Sequence, residues 1–285
     1  MLLASTLLAS PAGAETTESG DEAAVDVAAG LGPALNLLYR GTGEDPKNKD
    51  RLDIYRPKTD APAPVVMFVH GGGLVQGDKQ LYARLGEYLS AQGFVAVVPN
   101  HRLSPDVSHP AHVEDIVAAF AWVHANVARH GGDPSRILVM GHSAGAYLAA
   151  LMGMDPRYLA KHGLTASSIR AVVPISGFFH VERIAVERPK TVWGSERATW
   201  LEASPARYVR RDVPPMLLLY AQNDTKERRQ ESLDLAAALR AAGHDRVETA
   251  EIPERDHTSI IARFGQDDDA TAARVVEFAR RALAP

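Results

Sequence analysis

Arg136-Ile137-Leu138-Val139-Met140-Gly141-His142-Ser143-Ala144-Gly145-Ala146-Tyr147-Leu148-Ala149-Ala150-Leu151-Met152 decides how this chain is read. The run up to Met140 is apolar and rich in β-formers. The run from Ala146 is made of good helix formers. Between them Gly141 to Gly145 fits the pattern G-x-S-x-G, so strand, sharp turn and helix follow one another. Such a turn holds its serine in a strained conformation with the hydroxyl clear of the backbone. The helix start aims free N–H groups at the place where an oxyanion would form. Ser143 is the candidate nucleophile, and it needs a base, an orienting acid and oxyanion donors from the rest of the chain.

Working outward, short strands are predicted at Val65–Val69, Phe94–Val98, Ile169–Ser176, Met216–Ala221 and Val247–Ile252. They alternate with helical periodicities at Leu81–Gln92, Val113–Arg129, Glu227–Ala242 and Thr271–Leu283. The alternation implies a mostly parallel sheet with helices on both faces. Leu35–Arg40 and Arg51–Tyr55 flank a Gly, Pro and Asn turn and read as an antiparallel N-terminal hairpin. Phe178 to Arg211 has no clear period and reads as a small cap segment over the site rather than a domain.

A serine hydroxyl needs a base. His257 lies in the loop after the last strand, and Asp224 in the loop after the strand before it. The order serine, acid, histidine suits this architecture. Asp224 would hold the imidazole tautomer and stabilise the imidazolium. The glycines after the first buried strand supply bare backbone, so Gly72 and Gly73, with Ala144 after the serine, are the oxyanion-hole candidates. His70 is expected to brace that loop, and His142 to point away from the attacking face. Leu74, Tyr147, Phe178 and Trp193 are candidate walls of the substrate pocket, with core packing as the competing reading.

The chain has 285 residues, 31 basic and 35 acidic side chains, a formal net charge of -4 and no cysteine. Disulfides and thiolate chemistry are therefore excluded. No basic run speaks for nucleic acid, and no apolar stretch reaches the roughly 20 residues of a membrane span. His109 and His112 lack a third ligand, so no metal site is assigned. Residues 1–14 carry the small-x-small pattern Ala12-Gly13-Ala14 and read as a signal peptide, implying export to periplasm or medium after cleavage near Ala14, with a cytoplasmic location as the alternative. Residues 15–30 read as an acidic disordered linker, and 31–285 as the folded domain. Nothing in the sequence sets an oligomeric state.

His70-Gly71-Gly72-Gly73, Gly77-Asp78-Lys79, His101-Arg102-Leu103-Ser104-Pro105, Gly131-Gly132-Asp133-Pro134, Gly141 to Gly145, Asp224 and His257 together resemble the α/β-hydrolase superfamily. The likeness is to HGGG-type carboxylesterases, including the feruloyl-esterase-like and kynurenine-formamidase-like branches. Many relatives carry tryptophan where Leu74 stands and tyrosine where His101 stands. The resemblance implies the α/β-hydrolase fold, triad roles for Ser143, Asp224 and His257, and oxyanion roles for Gly72, Gly73 and Ala144. It implies a cofactor-free hydrolase of small or aryl carboxylic esters working through an acyl-enzyme. Arylformamidase activity and a non-catalytic binding protein are the alternatives at this stage.

Overall fold

A computed structural model describes residues 32–285 apart from Thr42, Glu44, Arg188 and Pro189. The expected signal peptide and linker lie outside the described residues. The strands are β1 (Ala34–Leu38), β2 (Arg51–Tyr55), β3 (Ala63–Val69), β4 (Val95–Pro99), β5 (Gly132–His142), β6 (Ala171–Ile175), β7 (Met216–Ala221) and β8 (Val247–Ile252). They form one sheet in the order β1-β2-β4-β3-β5-β6-β7-β8. β2 runs antiparallel to β1 and to β4, and the other pairings are parallel. This is the α/β-hydrolase fold with its antiparallel N-terminal strands.

The helices are α1 (Ala83–Ala91), α2 (Ala111–Asn126), α3 (Ala144–Met154), α4 (Pro156–Ala160) and α5 (Val181–Ile184). They continue with α6 (Lys190–Trp193), α7 (Arg197–Glu202), α8 (Lys226–Ala241), α9 (Ser259–Ala262) and α10 (Ala270–Ala282). Alternation along β3 explains the layering. Val65, Met67 and Val69 pack with α2, α3 and α8 on one face. Val66 and Phe68 pack with α1, α9 and α10 on the other. A strand covered on both faces must be apolar throughout, which is why β3 is a continuous apolar run. Each such side chain contributes about 1.5–3 kcal/mol relative to exposure.

β5 starts four residues earlier than Arg136, where the run Gly131 to Pro134 reads as a break. Pro134 is accommodated because the β3–β5 register shifts between Ala63 and Val65. β6 ends at Ile175, and Ser176 turns out of the strand with φ 49°. The described residues between Phe178 and Arg211 fold into the short turns α5, α6 and α7 and 3-10 segments.

The order β3-β5-β6-β7-β8 aligns the carboxyl ends of five parallel strands. The loops leaving them bring Gly72 and Gly73, Ser143, Ser176, Asp224 and His257 to one edge of the sheet. Sites in open α/β sheets form at these strand ends.

Candidate active site

Ser143 sits at φ 55°, ψ -117°, immediately before α3. A serine at a helix N-cap ordinarily turns its hydroxyl onto the helix's own N–H groups. Ser143 makes no such bond. Its Oγ instead lies 3.0 Å from His257 Nε2. The turn is tight enough that a Cβ on Gly145 would stand 2.1 Å from the Val69 carbonyl oxygen. Only glycine lets α3 approach β3 this closely.

His257 Nδ1 lies 3.1 Å from Asp224 Oδ1. Asp224 Oδ2 accepts from Ser176 Oγ at 2.5 Å and from the Ala221 N–H at 3.2 Å. Burial pushes the Asp224 carboxyl up, but hydrogen bonds from His257 and Ser176 hold it below the usual carboxylate range. An ionised Asp224 fixes the proton of His257 on Nδ1 and leaves Nε2 as acceptor for the serine proton. The Asp224 side chain is buried, whereas that of His257 is 35% exposed, open to an incoming substrate.

Gly72, Gly73, Ser143 and His257 line one cleft of about 590 Å³, with Val75, Leu81, Tyr82, Ile261 and Ala262 as its apolar walls. Gly72 takes φ 117°, and a Cβ there would meet the Gln76 carbonyl at 2.0 Å. The turn closes through Val75 and Gln76 N–H groups on the Gly72 carbonyl. Ala144 is the first residue of α3, so its N–H has no acceptor within the helix. The Gly72–Gly73 backbone lines the cleft beside Ser143, and the Ala144 N–H directly follows Ser143 in the chain.

His70 braces the glycine loop from beneath. It is fully buried, donates from Nδ1 to the Gly71 carbonyl at 2.8 Å, and stacks on His101 at 4.4 Å. Burial, then the neighbouring His101, lowers its pKa to about 3, so it is neutral. His112 contacts Ser104 Oγ at 3.2 Å. His109 uses its backbone N–H on the Val192 carbonyl.

The expected pocket walls lie elsewhere. Tyr147, Phe178 and Trp193 form a buried aromatic trio, with Trp193 Nε1 donating to Tyr147 Oη at 3.3 Å. Leu74 is 1% exposed and packs in the same core. None of Leu74, Tyr147 and Trp193 lines the Ser143 cleft. Their size suits a pocket wall or a core equally, and they pack in the core on the side of the sheet covered by α2, α3 and α8. Phe178 lines a neighbouring hollow of about 710 Å³ with Arg183, Ile184 and Arg228.

Three groups at the site were not legible as such. His142 lines the cleft and donates from Nε2 to the His257 carbonyl at 2.8 Å. Burial and then His257 lower its pKa to about 3. Ser176 contacts Asp224, and Arg228 Nη1 donates to the Ser176 carbonyl at 3.0 Å. The one available signal for Ser176 is its place at the carboxyl end of a buried strand.

A family model, BD-FAE, matches residues 52–239. Esterase LipC of Mycobacterium tuberculosis is 35% identical over 242 residues, covering 78% of this chain and 58% of its own. The probable carboxylic ester hydrolase LipM of the same organism is 31% identical over 230 residues, covering 73% of this chain and 53% of its own. This chain therefore spans little more than half the length of these relatives. The structure of Thermogutta terrifontis esterase 2 phosphonylated by cyclosarin superposes with a TM-score of 0.71 at 25% identity, covering 88% of this chain and 95% of that one.

Proposed function

The chain belongs to the BD-FAE family, and from that premise we propose that it is a serine hydrolase of carboxylic esters. The observation that carries the reading is the relay Asp224 Oδ1–His257 Nδ1 at 3.1 Å and His257 Nε2–Ser143 Oγ at 3.0 Å. Ser143 is the nucleophile, His257 the base and then the acid, and Asp224 the orienting carboxylate. Gly72, Gly73 and Ala144 supply the oxyanion donors.

On this reading the reaction runs in two halves. Ser143 Oγ forms a bond to the ester carbonyl carbon while its proton passes to His257 Nε2. The carbonyl electrons move onto oxygen, where the backbone N–H groups stabilise them. The carbonyl re-forms, the alkoxide leaves, and it takes the proton from His257. Water then repeats the sequence on the acyl-enzyme, releasing the acid and restoring Ser143.

The relatives' names, esterase and carboxylic ester hydrolase, support an ester over a formamide substrate. The apolar walls Val75, Leu81, Tyr82 and Ile261 favour small acyl or aryl esters. Turnover of p-nitrophenyl acetate and butyrate by wild type and Ser143→Ala tests the assignment. Abolished turnover in the variant is expected, and undiminished turnover would sink it. Export after cleavage near Ala14 rests on the Ala12-Gly13-Ala14 pattern. Terminal sequencing of protein from the expressing cells' medium or periplasm checks it.

A further inference from the structure

Ser176 is held at three points. Its N–H donates to the Leu219 carbonyl at 2.8 Å, its carbonyl accepts from Arg228 Nη1 at 3.0 Å, and its Oγ donates to Asp224 Oδ2 at 2.5 Å. It is fully buried and takes φ 49°, a left-handed conformation that a non-glycine residue adopts at a cost. Continuing β6 at extended φ would swing the hydroxyl to another side of the strand. Here the chain turns at once, and the hydroxyl meets the carboxylate delivered by the loop after β7.

The two oxygens of Asp224 have separate partners. Oδ1 faces His257, with Arg228 Nε 3.8 Å away. Oδ2 is fixed by Ser176 and, at a longer 3.2 Å, by the Ala221 N–H. A carboxylate can rotate about its terminal torsion unless both oxygens are tethered. The Ser176 bond is the shorter tether on the far oxygen, and a hydroxyl bonded to a carboxylate is a strong, charge-assisted contact.

On the serine-hydrolase reading above, we propose that Ser176 is a positioning residue, locking the Asp224 carboxylate so that Oδ1 stays aimed at His257 Nδ1. Its hydroxyl bonds to Asp224, and it acts through that carboxylate. Arg228 supports it by holding its carbonyl. The charged and titratable groups around Asp224 are His257, Arg228 and the neutral His142.

Ser176→Gly and Ser176→Ala test this together. Both remove the hydroxyl. Glycine suits the left-handed backbone and alanine does not. Sites competent for acylation are first counted with a fluorophosphonate, so that misfolded protein is excluded from the rate. The expected result is a drop of about tenfold in kcat per labelled site in both variants, with KM within about twofold of wild type. The acid limb of the kcat profile moves to higher pH in both, because Asp224 loses a bond that favours its anion. Wild-type kcat and pH profile in Ser176→Gly would overturn the positioning role, even if Ser176→Ala is impaired, because the position would then matter only for backbone strain. A wild-type chain that neither labels nor hydrolyses esters would overturn both the hydrolase reading and this one. Labelling and turnover in wild type keep the two failures apart.

Discussion

His142 Nε2 donates to the backbone carbonyl of His257 at 2.8 Å, so the residue next to Ser143 tethers the loop that carries His257. The rings also lie 4.8 Å apart between centroids. His142→Phe keeps a ring and removes the donor. Its kcat on p-nitrophenyl acetate is expected to fall about fivefold, equivalent to one hydrogen bond of about 1 kcal/mol, with KM unchanged.

Asp224→Asn keeps the size of the side chain and removes its charge. Asparagine can present an N–H to His257 and so favour the tautomer with the proton on Nε2, which cannot accept from Ser143. Steady-state kinetics should show kcat reduced by about 10⁴-fold, the scale of such a swap in serine proteases. A fall of less than tenfold would point to another acid.

Gly145→Ala places a methyl 2.1 Å from the Val69 carbonyl oxygen and 2.6 Å from that of His70. Neither is a flexible side-chain end, so α3 or β3 must shift. Urea unfolding should show a loss of about 3 kcal/mol or more. Turnover should fall too, since the helix that moves begins beside Ser143.

Stability should decline with acid before the carboxylates respond. His70, His112 and His142 are each held near pKa 3 in the folded protein, chiefly by burial. Unfolded, each returns to about 6.5. The unfolded chain therefore takes up protons first as pH falls below about 6.5, and this stability is present above that pH and lost toward pH 3. The slope is up to about 1.4 kcal/mol per pH unit for each histidine. Urea midpoints between pH 6.5 and 4.5 measure it, and a flat profile would contradict the neutral burial of these rings.

Trp193→Ala should cost about 3–5 kcal/mol of stability, the range for deleting a buried aromatic. The KM for p-nitrophenyl butyrate should stay within about twofold of wild type, because Trp193 packs on Tyr147 and Phe178 instead of lining the Ser143 cleft. A large KM change with little loss of stability would restore it to the pocket.

What the sequence makes legible is local or ordered along the chain. The turn at Gly141–Gly145 announces itself because a strand run, two glycines and a helix run are contiguous. Asp224 and His257 are found by their place after successive strands. Ser176, His142 and Arg228 escape because each acts on a residue delivered by a different loop, and no spacing encodes that meeting. Tyr147 and Trp193 stay open between two readings for another reason. An aromatic side chain with a polar tip suits a pocket wall, but it suits a core equally well if the tips find each other, as Trp193 Nε1 and Tyr147 Oη do. The start of β5 is missed because Pro134 reads as a break until its irregular pairing with β3 is known.

The sheet order has a consequence for when competence arrives. Ser143 and His257 meet across 114 residues of chain, and His257 leaves the last strand of the sheet. Parallel pairings of this kind close long loops and form slowly. A nascent chain released before β8 would carry the elbow without its base. Acylation by a fluorophosphonate would then serve as a clock for folding, reporting the moment the final strand docks.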